Sequence, residues 1–281
     1  MYLVKTNNIA YFSCFKKNEN TFSKKTKWND FHQLKSKKKT SISSIPFETK
    51  KSIVLEQIKR TFSELEIKAL NQKYRALSVT ERIEELYKDF AANEIMLTSS
   101  FAATSAFLLR VFSKINPEQK IYFINTGYHF DETLAYKEQL TQLYGLKVED
   151  VTAEKWEHDF TTKDETWKKD PDLCCSINKV KPLEIIKENY TVWVSGLMKW
   201  QSDHRSSLDI FEDRGGILKF YPLLDVTKEE REAYIKKNDL PFHPLIAKGY
   251  FSIGCKHCTV PGEGREGRWN NSPKTECGLH L

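Results

Sequence analysis

Between Glu94 and Asn238 short apolar runs alternate with stretches of helical period, and no other feature restricts the fold as much. "EIMLTSS" reads as a buried strand and "AATSAFLLRVFSKI" as the helix after it. "KIYFINTG", "LKVEDVTA" and "TVWVSG" repeat the strand pattern, while "DETLAYKEQLTQLYG" and "KPLEIIKENY" repeat the helical one. Strands alternating with helices of this length predict an α/β fold, a parallel sheet with helices on both faces. Ahead of this core, "IVLEQIKRTFSELEIKALNQKY" also has helical spacing. Ser78 with Glu81, and Thr227 with Glu230, are capping boxes that each open a helix. Past Leu240 the texture changes to Gly and Pro without helical period, predicting ordered loops that end in a mobile tail over residues 260–281.

The chain of 281 residues has a net charge of +6, but the charge is unevenly placed. Residues 1–50 hold eleven Lys and three acids, a balance of +8, so the remainder is slightly acidic at −2. Residues 1–46 read as a basic, disordered leader and residues 47–281 as the folded domain. A nucleic-acid-binding fold places its excess charge on an ordered face, so no nucleic-acid partner is expected. The leader lacks the apolar run of an export signal, and no stretch is long and apolar enough for a membrane span. A cytoplasmic, reducing location follows. There the six cysteines, Cys14, Cys174, Cys175, Cys255, Cys258 and Cys277, suit metal binding or catalysis better than disulfides.

Three segments carry chemistry. In "LTSSFAATS" a strand ends in hydroxyl residues at a helix start, where Ser99, Ser100 and Ser105 can cradle an anion, although such residues also cap helices in general. In "FINTGYHFDET", Thr126 and Gly127 lie at the same sheet edge, and Gly admits the close approach of a flat base. Cys174-Cys175 and Cys255-Lys-His-Cys258 supply four thiolates, which suit Zn²⁺ or an iron–sulfur cluster. Adjacent cysteines bend poorly to one ion, so a cluster that spreads its ligands over several irons is the better fit. Lys179, Arg205, Arg265 and Arg268 are cations placed to hold a multiply charged anion. Cys277 lies in a polar tail unsuited to burying a structural thiol, which marks it as a reactive one.

"CCSINKVKPL", "SIGCKHCT", "GREGRW" and "KTECGLH", in this order, resemble the assimilatory adenylyl-sulfate reductases, the iron–sulfur branch of the adenylyl-sulfate and phosphoadenylyl-sulfate reductase family. The resemblance runs from about Ala69 to the C-terminus. It implies a PP-loop type fold of the adenine nucleotide alpha hydrolase kind, and a [4Fe–4S] cluster on Cys174, Cys175, Cys255 and Cys258. It implies that Cys277 attacks the sulfur of adenosine 5′-phosphosulfate, releasing AMP and leaving an S-sulfocysteine from which an external thioredoxin frees sulfite. The setting would be assimilatory sulfate reduction and cysteine biosynthesis. Lys179, Arg265 and Arg268 would offset the substrate's charge, Gly278 would be the tail's hinge, and His280 would contact substrate. Asn125 stands where the family often has an acid, and Met198 and Lys199 where it usually has Arg.

Other readings remain open at this point. The substrate could be 3′-phosphoadenosine 5′-phosphosulfate, alone or as a second substrate. An adenylating PP-loop sulfurtransferase would need an ATP-type Ser-Gly-Gly loop, which "SSFAATS" lacks. A metal-stabilised module holding nucleic acid through its Lys-rich leader would leave the terminal motif unexplained. Assembly as a homo-oligomer is left open.

Overall fold

A computed structural model describes residues 60–269 and 272–279. The leader and His280, with the expectations placed on them, lie outside the described residues. Within the described residues the first helix is α1 (Glu64–Arg75), and the earlier part of the expected helical run, residues 53–59, lies outside them. Ser63 caps it: its hydroxyl accepts from the Glu66 N–H while the Glu66 carboxylate accepts from the Ser63 N–H. The two expected capping boxes open α2 (Val79–Asp89) and, later, the helix at Lys228 in the same reciprocal way.

Then the alternation follows. β1 (Ile95–Thr98), α3 (Ser105–Ile115), β2 (Lys120–Ile124), α4 (Asp131–Tyr144) and β3 (Lys147–Val151) fall where the periodicity puts them. Three helices come next, α5 (Lys155–Lys163), α6 (Thr166–Lys169) and α7 (Pro171–Cys175). A π-helical turn, Ser176–Val180, joins α7 to α8 (Lys181–Lys187). β4 (Val192–Val194), a short α9 (Asp203–Ser206), β5 (Phe211–Asp213), β6 (Leu218–Phe220) and α10 (Lys228–Lys237) complete the set.

The strands form one sheet in the order β3-β2-β1-β4-β6-β5, parallel except for the edge strand β5. Period-two alternation sorts the side chains between its faces. Ile95, Leu97, Ile121, Phe123, Val192 and Val194 enter the larger core, under α1 to α4 and α10. Met96, Tyr122 and Trp193 point the other way and pack with Leu183 of α8. Helices therefore cover both faces, as expected. At the β5 edge, Tyr74 of α1 packs edge-on to Phe211 and Phe220 at ring separations of 4.8 and 5.4 Å.

The chain leaves β1 toward β2 and β3 on one side and returns to β4 on the other. In such sheets the crevice beyond the carboxyl ends of the two diverging strands is where ligands bind.

Candidate active site

A cleft of about 850 Å³ opens at that switch point. It is lined by Thr98 at the end of β1, Ile124 at the end of β2, and Ser195 and Gly196 just beyond β4. Its volume is in the range of small-molecule sites. Ser99, Ser100 and Ser105 all line it. The loop turns at Phe101, whose positive φ of 47° is held by a fully buried ring edge-on to Phe123. At the start of α3 Thr104 makes no side-chain cap hydrogen bond, so the helix presents an N-terminus with no side-chain cap on it.

Beside the cleft lies a small enclosed cavity lined by Cys174, Cys175, Cys255 and Cys258. α7 delivers the first two, and the 3₁₀ turn Lys256–Cys258 delivers Cys258 with Cys255 at its N-cap. The Lys256 N–H donates to Tyr128 O at 2.8 Å and pins that turn to the β2–α4 loop. No cysteine among the described residues is in a disulfide. Polar groups surround the sulfurs: the Thr126 hydroxyl lies 3.3 Å from Cys255 Sγ, and Asn178 Nδ2 lies 3.8 Å from Cys174 Sγ. The Trp167 indole N–H is buried without a partner on the same wall.

Burial pushes the Cys174 thiol up to about 12 and the Cys258 thiol up to about 11, reinforced by the neighbouring cysteines. For Cys255 burial also works against ionisation, but Lys179, the Thr126 hydroxyl and Arg268 outweigh it and lower its pKa. Among the described residues no three His, Cys, Asp or Glu side chains are grouped to hold one metal ion. All four thiols line the one cavity, and thiolates are the donor type that both Zn²⁺ and iron–sulfur clusters take.

Lys179 and Trp269 line both the cysteine cavity and the cleft. Burial by itself lowers the Lys179 pKa, but the Cys255, Cys175 and Cys277 sulfurs outweigh it and raise the value. Arg268 lies with its guanidinium 4.2 Å from the Trp269 ring centroid, and its buried Nε has no hydrogen-bond partner. A side chain on Gly254 would put its Cβ 2.3 Å from that guanidinium, so the close approach of Arg268 requires a glycine there. Arg265, Arg268 and Cys277 face the cleft together. Burial and the nearby Arg205 push Arg265 down to about 10, against the pull of Glu276.

Sequence reasoning placed Lys179, Arg205, Arg265, Arg268 and Cys277 in one site, and the structure brings them to one cleft. Two details differ. Thr126 is buried beside Cys255 and lines the cysteine cavity, not the cleft; Gly127 lies against the His158 ring, outside both linings. Arg205 spends its guanidinium on the Glu276 carboxylate, with Nε–Oε1 and Nη2–Oε2 both at 3.0 Å. Met198 is buried in the larger core and Lys199 is exposed, and neither lines the cleft. The reading missed Glu276 and Lys219, which hold the tail. A lysine inside the apolar run "ILKFYPLL" was a signal for the second.

A parallel sheet with a cation-lined nucleotide-sized cleft, a four-cysteine cavity beside it and a thiol on a docked tail defines a class: thiol chemistry on an anionic ligand. The phosphoadenosine phosphosulfate reductase domain model matches residues 94–261, and the chain belongs to that family. It is 38% identical over 228 residues to the adenosine 5′-phosphosulfate reductase of Chelativorans sp. (strain BNC1), covering 78% of this chain and 92% of that one. It is 37% identical over 200 residues to the protein of the same name from Staphylococcus epidermidis, covering 67% and 82%. Among solved structures, phosphoadenylyl-sulfate reductase from Candida auris in its phosphate complex superposes with a TM-score of 0.63 at 27% identity. That match covers 72% of this chain and all of the other.

Proposed function

We propose that this protein is an adenylyl-sulfate reductase that converts adenosine 5′-phosphosulfate to AMP and sulfite in assimilatory sulfate reduction. The observation that carries the reading is the lining of one cleft by Cys277, Lys179, Arg265 and Arg268 at the sheet's switch point. The relatives named adenosine 5′-phosphosulfate reductase support the substrate.

The chemistry follows from the residues. The cations draw in the phosphosulfate and offset its charge, which would otherwise repel an anionic nucleophile. The Cys277 thiolate attacks the sulfonyl sulfur; an S–S bond forms as the S–O bond breaks, and AMP leaves with the electron pair. One thiolate of a dithiol protein of the thioredoxin class then attacks Cys277 Sγ, and sulfite leaves with its electron pair. The second thiol resolves the mixed disulfide, so the two electrons come from the dithiol and Cys277 returns as a thiol. The tail carries Cys277 between cleft and reductant. Ser99, Ser100 and Ser105, which also line the cleft, would cradle the nucleotide's phosphate.

Cys174, Cys175, Cys255 and Cys258 would hold a [4Fe–4S] cluster, which supplies local charge and rigidity beside Lys179 when bound. The cytoplasm is the location this reading implies, because cysteines used as metal ligands and nucleophiles must stay reduced. Reduced protein mixed with adenylyl sulfate, without thioredoxin, is expected to gain one sulfonate that maps to Cys277 by peptide mass. Cys277→Ser is expected to bind AMP normally and to form neither adduct nor sulfite. Sulfite production by that variant would remove Cys277 as the nucleophile. A better yield from 3′-phosphoadenosine 5′-phosphosulfate would move the substrate to the phosphorylated nucleotide.

A further inference from the structure

The tail reaches Cys277 through contacts that flank it on both sides. On the near side the Glu276 carboxylate is 2% exposed and is held by three residues. Arg205 binds both of its oxygens at 3.0 Å, Arg265 Nη2 binds Oε2 at 3.0 Å, and the Ser202 hydroxyl donates to Oε1 at 3.2 Å. Arg265 Nη2 also takes the Thr275 carbonyl at 2.6 Å. A carboxylate buried between two guanidiniums and a hydroxyl is a strong anchor, because its bonds are charge-assisted and sheltered from water.

On the far side the Leu279 carbonyl accepts from Lys219 Nζ at 3.0 Å. Lys219 is 3% exposed, and its ammonium lies 4.5 Å from the centroid of the Trp193 ring. Leu279 packs its side chain into the smaller core with Trp193 and Leu183. Between the two anchors stand only Cys277 and Gly278, the latter at a φ of +82° that favours glycine.

We propose that Glu276 and Lys219 are positioning residues that form a two-point clasp on the tail, setting how often the Cys277 thiol leaves the cleft. This rests on the reading of Cys277 as the nucleophile and deepens it. Each anchor ties the tail to a different part of the fold: Arg205 and Arg265 to the segments around α9 and residues 264–269, Lys219 to strand β6. The tail lifts only when both let go, because either one alone still holds the cysteine within two residues of a fixed point. Release is costly on both sides. It leaves Arg205 without its carboxylate and the buried Lys219 ammonium without its acceptor.

The test reads Cys277 exposure without turnover. Full-length protein, free of nucleotide, is treated with iodoacetamide, and labelling of each cysteine is followed by peptide mass. Glu276→Gln is expected to raise the Cys277 labelling rate by about tenfold or more, as loss of charge-assisted hydrogen bonds predicts. Lys219→Met is expected to raise it severalfold, and Glu276→Asp, which keeps the charge, to stay nearer the wild type. In both disrupted variants kcat for sulfite release should fall more than KM for adenylyl sulfate rises. Unchanged labelling in both variants overturns the clasp. A rise in only one overturns the two-point form, and equal rises at every cysteine would mark general loosening and overturn it too. Turnover that survives in Cys277→Ser would sink the nucleophile assignment alone, since the labelling still decides whether the tail is clasped.

Discussion

Lys219 holds a charge in an unfavourable place, on an inner strand of the sheet with 3% of its surface exposed. Burial, helped by Arg214 and Lys187 and opposed by Glu212 and Cys277, pushes its pKa down to about 8. The unfolded chain keeps the proton to about pH 10.4. Between pH 8 and 10.4 the unfolded state therefore binds more protons, and stability from this group rises with pH across that window. At pH 7 the buried charge costs on the order of 3 kcal/mol. Lys219→Met is expected to be more stable than wild type at pH 7 in urea unfolding, with the gap closing by pH 10. Gly254→Ala tests another single position. The atoms its Cβ meets are the far end of Arg268, so the expected outcome is a preserved fold with a displaced guanidinium. Affinity for adenylyl sulfate should drop by about tenfold, the worth of a charge-assisted contact, with little change in melting temperature. The sequence named Arg268 as an anion ligand, yet the need for a glycine opposite it was invisible, because the two meet only in space.

Among the elements, the run from Pro171 to Lys187 does the most for the site. It carries Cys174, Cys175 and Lys179 across α7, the π-helical turn and α8. Pro182 explains the turn: it has no N–H, and in a regular helix its ring would press on the carbonyl four residues back. Widening the preceding turn, closed by the Lys181 N–H on Ser176 O, relieves that conflict. Pro182→Ala is expected to let this turn tighten toward an α-helix and rotate Lys179 away from the boundary it shares. Turnover should fall by about tenfold or more, since small misplacements of charged groups are expensive, while circular dichroism shows helix retained. The capping boxes at Ser78 and Thr227 were legible because both partners lie three residues apart in sequence. The strands β5 and β6, three residues each around an Arg-Gly-Gly turn, were not: their residues Glu212, Asp213 and Lys219 break up the apolar run that marked β4. The helices α5 to α7 were missed for a related reason: their exposed apolar residues, Trp156, Phe160 and Leu173, blur the amphipathic pattern.

Across the whole molecule, two cavities share one wall built from Lys179 and Trp269. Loss of one of the proposed cluster ligands should therefore be felt in the cleft. Cys255→Ser is expected to bleach the visible absorption of the iron-loaded protein and to weaken adenylyl sulfate binding as well. Unchanged absorption would remove Cys255 from the ligand set. The chain's own order of residues was enough to read the α/β class, the two helix starts capped by Ser78 and Thr227, and the cysteines that line the cavity and stand on the tail. Those properties depend on local periodicity, on capping over three residues, and on side-chain chemistry that does not need a neighbour to be recognised. Only the tertiary structure assigned Thr126 to the cysteine cavity, committed Arg205 to Glu276 and placed Lys219 beneath the tail. Each of these joins residues 60 to 129 positions apart. At such separations the partner is chosen by how the sheet and helices pack, and by which buried charges can find a counter-charge there.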